Sequence, residues 1–463
     1  MPQVKRSARS APDSTEAPLR TSCMLSLRLF AVGLLVLAAA APASAQDPTV
    51  RVRLLGGPVS APEITAEGGP ARITDAAGAV TVLPDRDDAT ARARRGQVTI
   101  MGMASSRFEI EGTHLRIQRG RTDRLYSGRL VLTAVDGKVQ IVNHVPLPPY
   151  LASVTASEYP FTEIEGVKAQ AVLARTYALR RQGAKPDYDL DDHQGSQVYK
   201  GMEVVTDVTR EAVELTRGVV LTYRGELAEA FYSSSSGGFT AANESVWTSG
   251  APIPYLRAVA DPYDAQAPDH RWTKRLSASA VHAALSRRYG GTVSGFDVVQ
   301  RGPSGRAVQV RLHGASRSTI SGSQFRSAVN ARMGWRTILS THFEARRSGS
   351  EYVFDGRGFG HGVGMSQYGA RGAARQGMSF QQILAHYFPG TSVSDPSGAA
   401  LPNVATAGTP GPRSRTAPTP RTPVAGAESD PTPRYVEPTR RTRPTPRHQA
   451  RAERENGTRR RAW

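Results

Sequence analysis

The stretch GVKAQAVLARTYAL, residues 166–179, decides the fold class of this 463-residue chain. It places Val167, Ala171, Ala174 and Ala178 at positions i, i+4, i+7 and i+11, which predicts a helix with one apolar stripe. The stripe consists of small residues, so the helix can pack closely against its neighbours. We therefore expect this helix to be the central element of the fold.

Strand-like patterns lie on both sides of the helix. Short alternating runs, separated by Gly, Asp and Pro, occupy residues 50–142 and predict a β-rich region. The clearest runs are VRVRL at 50–54, FEI at 108–110, LRI at 115–117 and VQI at 139–141. After residue 218, strand-like and Gly/Ser-rich pieces alternate with helical patterns at 278–289 and 379–387. The predicted class is therefore mixed α+β, with β-rich regions around a central small-residue helix.

The first 45 residues are predicted to be a signal peptide and its basic forerunner, with Met24 as an alternative start. An apolar run at 29–41 is followed by Ala43-Ser44-Ala45, the small-x-small pattern that signal peptidases cleave. The run is short for a helix that spans a bilayer, so a cleaved signal is favoured and a permanent anchor is the alternative. Cys23, the single cysteine, precedes the run, so disulfides and cysteine-zinc sites are excluded from the mature protein. We expect an exported protein, periplasmic or extracellular.

The C-terminal part, residues 394–463, is predicted to be a disordered basic tail. From Leu401 to Trp463 it holds 11 Pro, and 13 Arg against 5 Asp plus Glu, which gives +8 of the total charge of +19. Such a composition buries too little apolar surface to offset the entropy of ordering. An exported basic segment favours anionic wall polymers or a membrane surface, with a solvated spacer as the alternative. Export also argues against nucleic acid as a partner.

Five motifs between residues 142 and 393 occur in one order. They are VPLPPYL at 145–151 with ASEYP at 156–160; KAQA and ARTYA within 168–178; SQVYKG at 196–201; FYSSSSGG at 231–238; and GFGHGVGMSQYGA at 358–370. Each is weak alone, but the ordered set resembles the stage II sporulation protein D and amidase-enhancer family. The resemblance implies a catalytic domain at 142–393 after the β-rich region at 46–141. It also implies lytic transglycosylation of peptidoglycan between N-acetylmuramic acid and N-acetylglucosamine, in some members on glycan stripped of peptides.

Glu158 matches the catalytic glutamate of that family, and its local sequence gives an independent reason to expect an acid. Pro160 disfavours a helical conformation at Tyr159, so a helix from about Pro149 should end at Glu158 or just after it. A carboxylate at the negative end of a helix dipole has a raised pKa, as a general acid requires. The alternative is an ordinary exposed glutamate at a helix end.

Eight further residues are predicted to bind the glycan because they match the family's motifs: Arg175, Tyr177, Gln197, Tyr199, Ser235, His361, Gln367 and Tyr368. The fork of donors on Arg175 suits a sugar carboxylate or carbonyl. An interior salt bridge for Arg175, and core packing for Tyr177 and His361, are the alternatives. Three aromatic residues either stack on sugars or belong to the core: Trp247, Trp272 and Tyr255.

No cofactor or metal is expected. Some relatives bind zinc through Cys and His close to the Gln-x-Tyr motif, whereas here Gly195 and Ser196 precede Gln197. The remaining candidates are Asp-Asp-His at 191–193, which is a weak ligand set for zinc.

Three rival functions are open. The first is a non-catalytic, wall-bound enhancer of a separate cell-wall amidase, in which Glu158 is part of a glycan-binding groove. The second is a two-carboxylate glycosidase with Glu163, Glu165 or Asp192 as the partner of Glu158. The third is an interaction protein led by the tail. In the favoured interpretation the partner is the peptidoglycan glycan strand.

Overall fold

The computed structural model describes residues 47–247 and 250–395. The predicted signal peptide and the tail from residue 396 lie outside the described residues. Within those ranges the mixed α+β class is confirmed, because strands and helices alternate along the chain. No helix there is both long enough and apolar enough to cross a membrane.

Thirteen strands precede the first helix of the described ranges, as the alternating runs predict. They are β1 Thr49–Arg53, β2 Glu63–Glu67, β3 Ala71–Asp75, β4 Val80–Leu83, β5 Asp88–Thr90, β6 Arg92–Arg94, β7 Gln97–Ile100, β8 Met103–Ser105, β9 Arg107–Glu111, β10 His114–Arg119, β11 Thr122–Tyr126, β12 Arg129–Val135 and β13 Lys138–Pro146. Six of them form the antiparallel part of the main sheet, in the order β1-β13-β12-β9-β3-β4. Two smaller sheets have the orders β11-β10-β2-β5 and β6-β7-β8.

The predicted central helix is α2, Ile164–Arg181, which follows α1, Leu147–Glu158. All four residues of the predicted stripe are fully buried. Burial extends beyond the stripe to every residue from 166 to 178 except Lys168, so the helix is enclosed on all sides. Gly166 shows why small residues are needed, because a Cβ atom there would collide with the hydroxyl of Tyr159.

The remaining helices and strands follow α2 along the chain. They are β14 Leu190–Asp191, α3 Asp207–Leu215, β15 Val220–Tyr223, β16 Glu226–Leu227, β17 Tyr232–Ser233, α4 Asn243–Val246, β18 Arg271–Ser277, α5 Ala278–Tyr289, β19 Gly291–Arg301, β20 Ala307–Ala315, β21 Thr319–Ser321, α6 Gly322–Met333, β22 Phe343–Ser348, β23 Glu351–Arg357, β24 Met365–Ser366, α7 Gln367–Arg375, α8 Phe380–Tyr387 and β25 Ser392–Ser394. The helices predicted at 278–289 and 379–387 are thereby confirmed as α5 and α8.

Two separate hydrophobic clusters form the interior. The first cluster joins the N-terminal strands to α1, α2, α7 and α8, with core residues from Val50 to Leu256 and again from Val363 to Phe388. The second cluster lies between these parts of the chain, from Trp272 to Phe354, and is built from α5, α6 and the strands β18 to β23. β13 runs through residue 142, the predicted boundary between the β-rich region and the catalytic domain. β14, which follows the central helix, pairs in parallel with β1 at the edge of the main sheet. The strands and the central helix therefore share one core.

Candidate active site

A cleft of about 860 Å³ is lined by residues from both clusters. Four of the sequence-predicted residues reach it: Glu158, Tyr177, His361 and Gln367. The second cluster contributes part of α6 and the segment that follows it, including Arg326, Asn330 and Trp335. The cleft thus combines parts of the chain that are far apart in sequence.

Glu158 is the last residue of α1, as the position of Pro160 predicts. Its Oε1 accepts a hydrogen bond of 2.7 Å from the backbone N–H of Val198, in the loop that carries the Gln-x-Tyr motif. The side-chain amide of Gln367 donates to the backbone carbonyl of Glu158, also at 2.7 Å. Two distant motifs therefore hold the end of α1 in place, and Glu158 is half-buried at the wall of the cleft.

The pKa of Glu158 is raised above its ordinary value. Burial is the main cause, while the hydrogen bond from Val198 and the positive charge of Lys200 act in the opposite direction. The direction is the one expected from the sequence, and burial is a cause that the local sequence did not indicate. A carboxyl group in this setting holds its proton at higher pH than an exposed glutamate does.

A polar cluster of neutral side chains lies behind Glu158. The Gln197 carbonyl accepts from the hydroxyl of Tyr150 at 3.0 Å, and its amide donates to the Tyr232 hydroxyl at 3.2 Å. Gln197 is fully buried, so it supports the cleft rather than lining it. Burial raises the pKa of both tyrosines, and the nearby charge of Glu158 acts in the same direction. The cluster fixes the floor beneath the carboxyl group without adding a charge.

His361 lines the cleft in a neutral form. Its Nδ1 accepts a hydrogen bond of 3.0 Å from the backbone N–H of Val363. Burial lowers the pKa of His361 to about 4, and the positive charges of Arg306 and Arg326 add to that effect. The ring packs 5.4 Å from Trp247, measured between centroids. A backbone hydrogen bond with Tyr232 acts on this pKa in the opposite direction without restoring it, so His361 is not suited to proton transfer near neutral pH.

Aromatic side chains form the apolar walls of the cleft. Trp247 is 37% exposed and packs 4.6 Å from Phe231, and Trp335 is 61% exposed and packs 5.7 Å from Phe359. Large exposed aromatic rings beside polar groups are typical of surfaces on which sugars stack. Tyr177 also reaches the cleft, with the Arg181 guanidinium 3.6 Å from its ring centroid.

The other two aromatic residues considered from the sequence lie in the cores. Trp272 is buried and its ring N–H donates to the carbonyl of Gly358 at 2.9 Å. Tyr255 is buried and its hydroxyl accepts from the backbone N–H of Glu229. Both are consistent with the core alternative.

Arg175 does not line the cleft. Its guanidinium is buried and donates to the backbone carbonyls of Val219 and Val213 at 2.9 and 3.2 Å. Burial lowers its pKa to about 10. These contacts join α2 to the end of α3 and the start of β15, so the structure places Arg175 in a fold-stabilising position.

Three more predicted residues lie outside the cleft lining. Tyr199 is fully buried and donates to Oδ1 of Asn143 at 2.9 Å. Ser235 is fully buried and donates to Asp264 at 2.7 Å, which also accepts from Ser366. Tyr368 is half-buried against Phe161, with ring centroids 5.0 Å apart. These side chains attach the motifs to the surrounding structure.

The residues at 191–193 do not fit a metal site. Asp191 pairs with Arg53 at 2.7 Å, and Asp192 accepts from Arg124 and from the backbone N–H of Leu55. Both carboxylates are thus used to attach this loop to the N-terminal strands. Within residues 47–247 and 250–395 no group of three His, Cys, Asp or Glu side chains is arranged to hold a metal ion.

The sequence did not single out Trp335, Arg326 or Asn330, which come from α6 and the turn after it. No motif marks this segment. A charge count would have drawn attention to it, because residues 278–340 contain nine Arg and one Asp.

Comparisons with known proteins divide the chain in a similar way. A family model described as Stage II sporulation protein matches residues 135–223, and a domain of unknown function, DUF8618, matches residues 255–364. The first match contains Glu158, and the second contains the whole second cluster.

Three relatives align with more than half of the chain. Stage II sporulation protein D of Bacillus subtilis (strain 168) is 33% identical over 274 residues, which is 55% of this chain and 76% of that protein. The protein of the same name from Bacillus amyloliquefaciens is 33% identical over 273 residues, 55% and 76% of the two chains. Amidase enhancer of Bacillus subtilis (strain 168) is 30% identical over 292 residues, 53% of this chain and 40% of that protein.

Proposed function

The chain belongs to the stage II sporulation protein D family, and on that premise we propose that it is an exported, cell-wall-associated lytic transglycosylase. Its substrate is the peptidoglycan glycan strand, stripped of peptides, and it cleaves the bond between N-acetylmuramic acid and N-acetylglucosamine. Glu158 acts as both acid and base. Gln367, His361 and Tyr177 contact the sugars in the cleft.

One observation carries this proposal. Of the described residues that line the cleft, Glu158 is the single carboxylate. The partners that a two-carboxylate glycosidase would need are held elsewhere: Glu163 by Arg371 and Arg375, Glu165 by Lys168, and Asp192 by Arg124. A reaction that needs one carboxyl group and an internal nucleophile agrees with this arrangement.

The chemistry balances with a single group. The Glu158 carboxyl gives its proton to the glycosidic oxygen as the bond from that oxygen to C1 of the muramic acid breaks. The C6 hydroxyl oxygen of the same sugar bonds to C1, and its proton passes to the carboxylate. The 1,6-anhydro ring is formed, Glu158 is regenerated and no water is consumed.

The environment of Glu158 supports both halves of this cycle. Burial raises its pKa and keeps the acid form available, while the Val198 N–H stabilises the carboxylate that appears midway. Within residues 47–247 and 250–395 no hydrogen bond to Oε2 is formed, so this oxygen can face the substrate. Neutral His361 does not compete for the proton.

The test is a product analysis with purified peptidoglycan and peptide-free glycan. The wild-type protein should release sugars with anhydro-muramic ends, and Glu158→Gln should release none. Reducing ends would favour the two-carboxylate glycosidase. His193→Gln is the matched control, because His193 lies in the neighbouring loop and is not part of the cleft lining; it should retain activity.

A second candidate is supported by the similarity to an amidase enhancer. In this role the cleft binds glycan without cleaving it, and the protein stimulates a separate cell-wall amidase. No sugar release from either substrate, together with retained glycan binding and faster peptide release by an added amidase, would favour the enhancer over the enzyme.

A further inference from the structure

A second concave surface lies next to the cleft, between α5 and α6. This arginine groove has a volume of about 1250 Å³. Of the described residues that line it, none is acidic, and four are arginines: Arg287, Arg288, Arg317 and Arg332. All four are exposed to solvent. Ser323 and Gln324 add polar side chains to the lining.

The groove belongs to a strongly positive part of the chain. Residues 278–340 contain nine Arg and one Asp, so they carry 9 − 1 = +8 of the total charge of +19. The carboxylate of that acid, Asp297, lies 2.9 Å from Nε2 of His313. Like charges that face one groove repel each other, and an anion bound there would remove part of that cost.

Two of the arginines converge on one side chain. The Tyr289 hydroxyl donates to the carbonyl of Gln324 at 3.0 Å and so holds the end of α5 against the start of α6. The charges of Arg288 and Arg317 both oppose the burial that raises the pKa of Tyr289. Both arginines line the groove beside this fixed side chain, so they are close enough to each other to act on one ligand.

The groove is continuous with the cleft. Ser327 and Ala331, one helical turn apart on α6, line both surfaces. Both side chains are small and exposed. A polymer bound in the cleft can therefore reach the arginines by crossing α6 at these two positions.

We propose that the arginine groove binds carboxylates of the glycan strand whose neighbouring sugars occupy the cleft. This inference rests on the proposed function for the identity of the polymer. Removal of a peptide from muramic acid hydrolyses an amide and leaves a carboxylic acid on the lactyl ether, so a peptide-free strand carries a regular series of carboxylates. Arginine is suited to them because its fork of donors matches a carboxylate with two hydrogen bonds. The groove thus provides a means of recognising stripped glycan.

The test measures binding and not cleavage, in the Glu158→Gln background so that the glycan stays intact. The ligands are peptide-free glycan and the same glycan after its carboxylates have been converted to neutral amides. The groove variant combines Arg288→Gln, Arg317→Gln and Arg332→Gln. The matched control removes the same charge at three exposed arginines that line neither surface: Arg271→Gln, Arg311→Gln and Arg346→Gln.

We expect the parent protein to bind the carboxylate form about tenfold more tightly than the amide form, as three exposed ion pairs would give. The groove variant should lose this preference, and the control should keep it. Equal affinity of the parent for both forms, or equal losses in the two variants, would overturn the proposal. Tighter binding of a purified phosphodiester wall polymer, lost only in the groove variant, would reassign the groove to phosphate.

These outcomes are separate from the fate of the proposed function. If the wild-type protein makes no anhydro products but the binding contrast holds, the groove still recognises carboxylates and the enzyme proposal alone fails. Thermal unfolding of both variants checks that they are folded, which is expected because each of the substituted arginines is exposed.

Discussion

The two hydrophobic clusters differ in where their charged side chains lie. Around Glu158, the first cluster uses neutral partners such as Gln197, Tyr150 and Tyr232, so that one carboxyl group is isolated in a desolvated wall. The second cluster presents exposed arginines and an exposed tryptophan to solvent. Proton transfer needs a group whose pKa is shifted by burial, whereas capture of a charged polymer needs accessible charge. Under the proposed function, the chemistry therefore belongs to the first cluster and the capture of the charged polymer to the second.

The largest expected effect tests the chemical half of this comparison. Glu158→Gln should lower kcat by about 10³-fold, as loss of a general acid does, with little change in KM. The Gln side chain can still accept the hydrogen bond from Val198, so the fold should persist. Steady-state kinetics on peptide-free glycan provide the measurement. A large rise in KM instead would mean that Glu158 mainly binds substrate.

The next effect tests the junction between the clusters. Arg306 comes from the second cluster region, is fully buried, and donates to the carbonyl of Ser236 at 2.8 Å. A Cβ atom at Gly362, where φ is +78°, would clash with its guanidinium. Gly362→Ala should therefore lower the free energy of unfolding by about 2–3 kcal/mol, from backbone strain plus the clash.

The control for this prediction separates the two causes. Gly183 has a similar φ of +74°, but no described atom lies within 4 Å of a Cβ built there. Gly183→Ala should cost only the strain, about 1 kcal/mol. Urea denaturation of both variants measures the difference. Equal losses would show that the Arg306 contact does not constrain Gly362.

A smaller effect tests the binding half. Trp335 is 61% exposed on the cleft, so Trp335→Ala should remove a stacking surface without opening a core cavity. We expect KM to rise about tenfold, with kcat nearly unchanged. Val299→Ala, at a 42% exposed residue of β19 outside the cleft lining, should change neither constant. An equal fall in kcat would contradict the division of roles between the clusters.

The smallest effect concerns pH. Because the folded-state pKa of Glu158 is raised above its ordinary value of 4.5, the wild-type protein loses stability as pH rises from about 4.5 through that raised pKa. Glu158→Gln lacks this loss. It should be more stable than the wild type at pH 7 and equal to it at pH 3, where the acid is protonated in both states. Thermal unfolding at the two pH values measures the difference, and a variant that is less stable at pH 7 would show that ionised Glu158 stabilises the fold.

The local features of the fold were predictable because neighbouring residues determine them. Pro160 placed the end of α1 at Glu158, and the alternation at 50–54 and 108–110 matches β1 and β9. The small-residue stripe identified α2 as the central helix. Its burial on every side was not predictable, because that depends on which elements pack around it.

The site was predictable only in part, because the burial of each side chain is decided by the folded chain. Of the residues in the motifs, Glu158, His361 and Gln367 line the cleft. Arg175 and Ser235 belong to the same set of motifs, but their side chains form internal hydrogen bonds. Sequence patterns mark which residues occur together and do not show which of them face solvent.

By itself, the sequence determined the α+β class and the position of a carboxyl group at the end of α1, since both depend on local conformation. It also determined the family to which the chain belongs, since that depends on ordered motifs. The tertiary structure decided that burial raises the pKa of Glu158, and that Trp335 faces the same cleft from the second cluster. It also joined that cleft to the arginine groove across Ser327 and Ala331. Desolvation and convergence arise only when distant segments pack together, so no local pattern could have specified them.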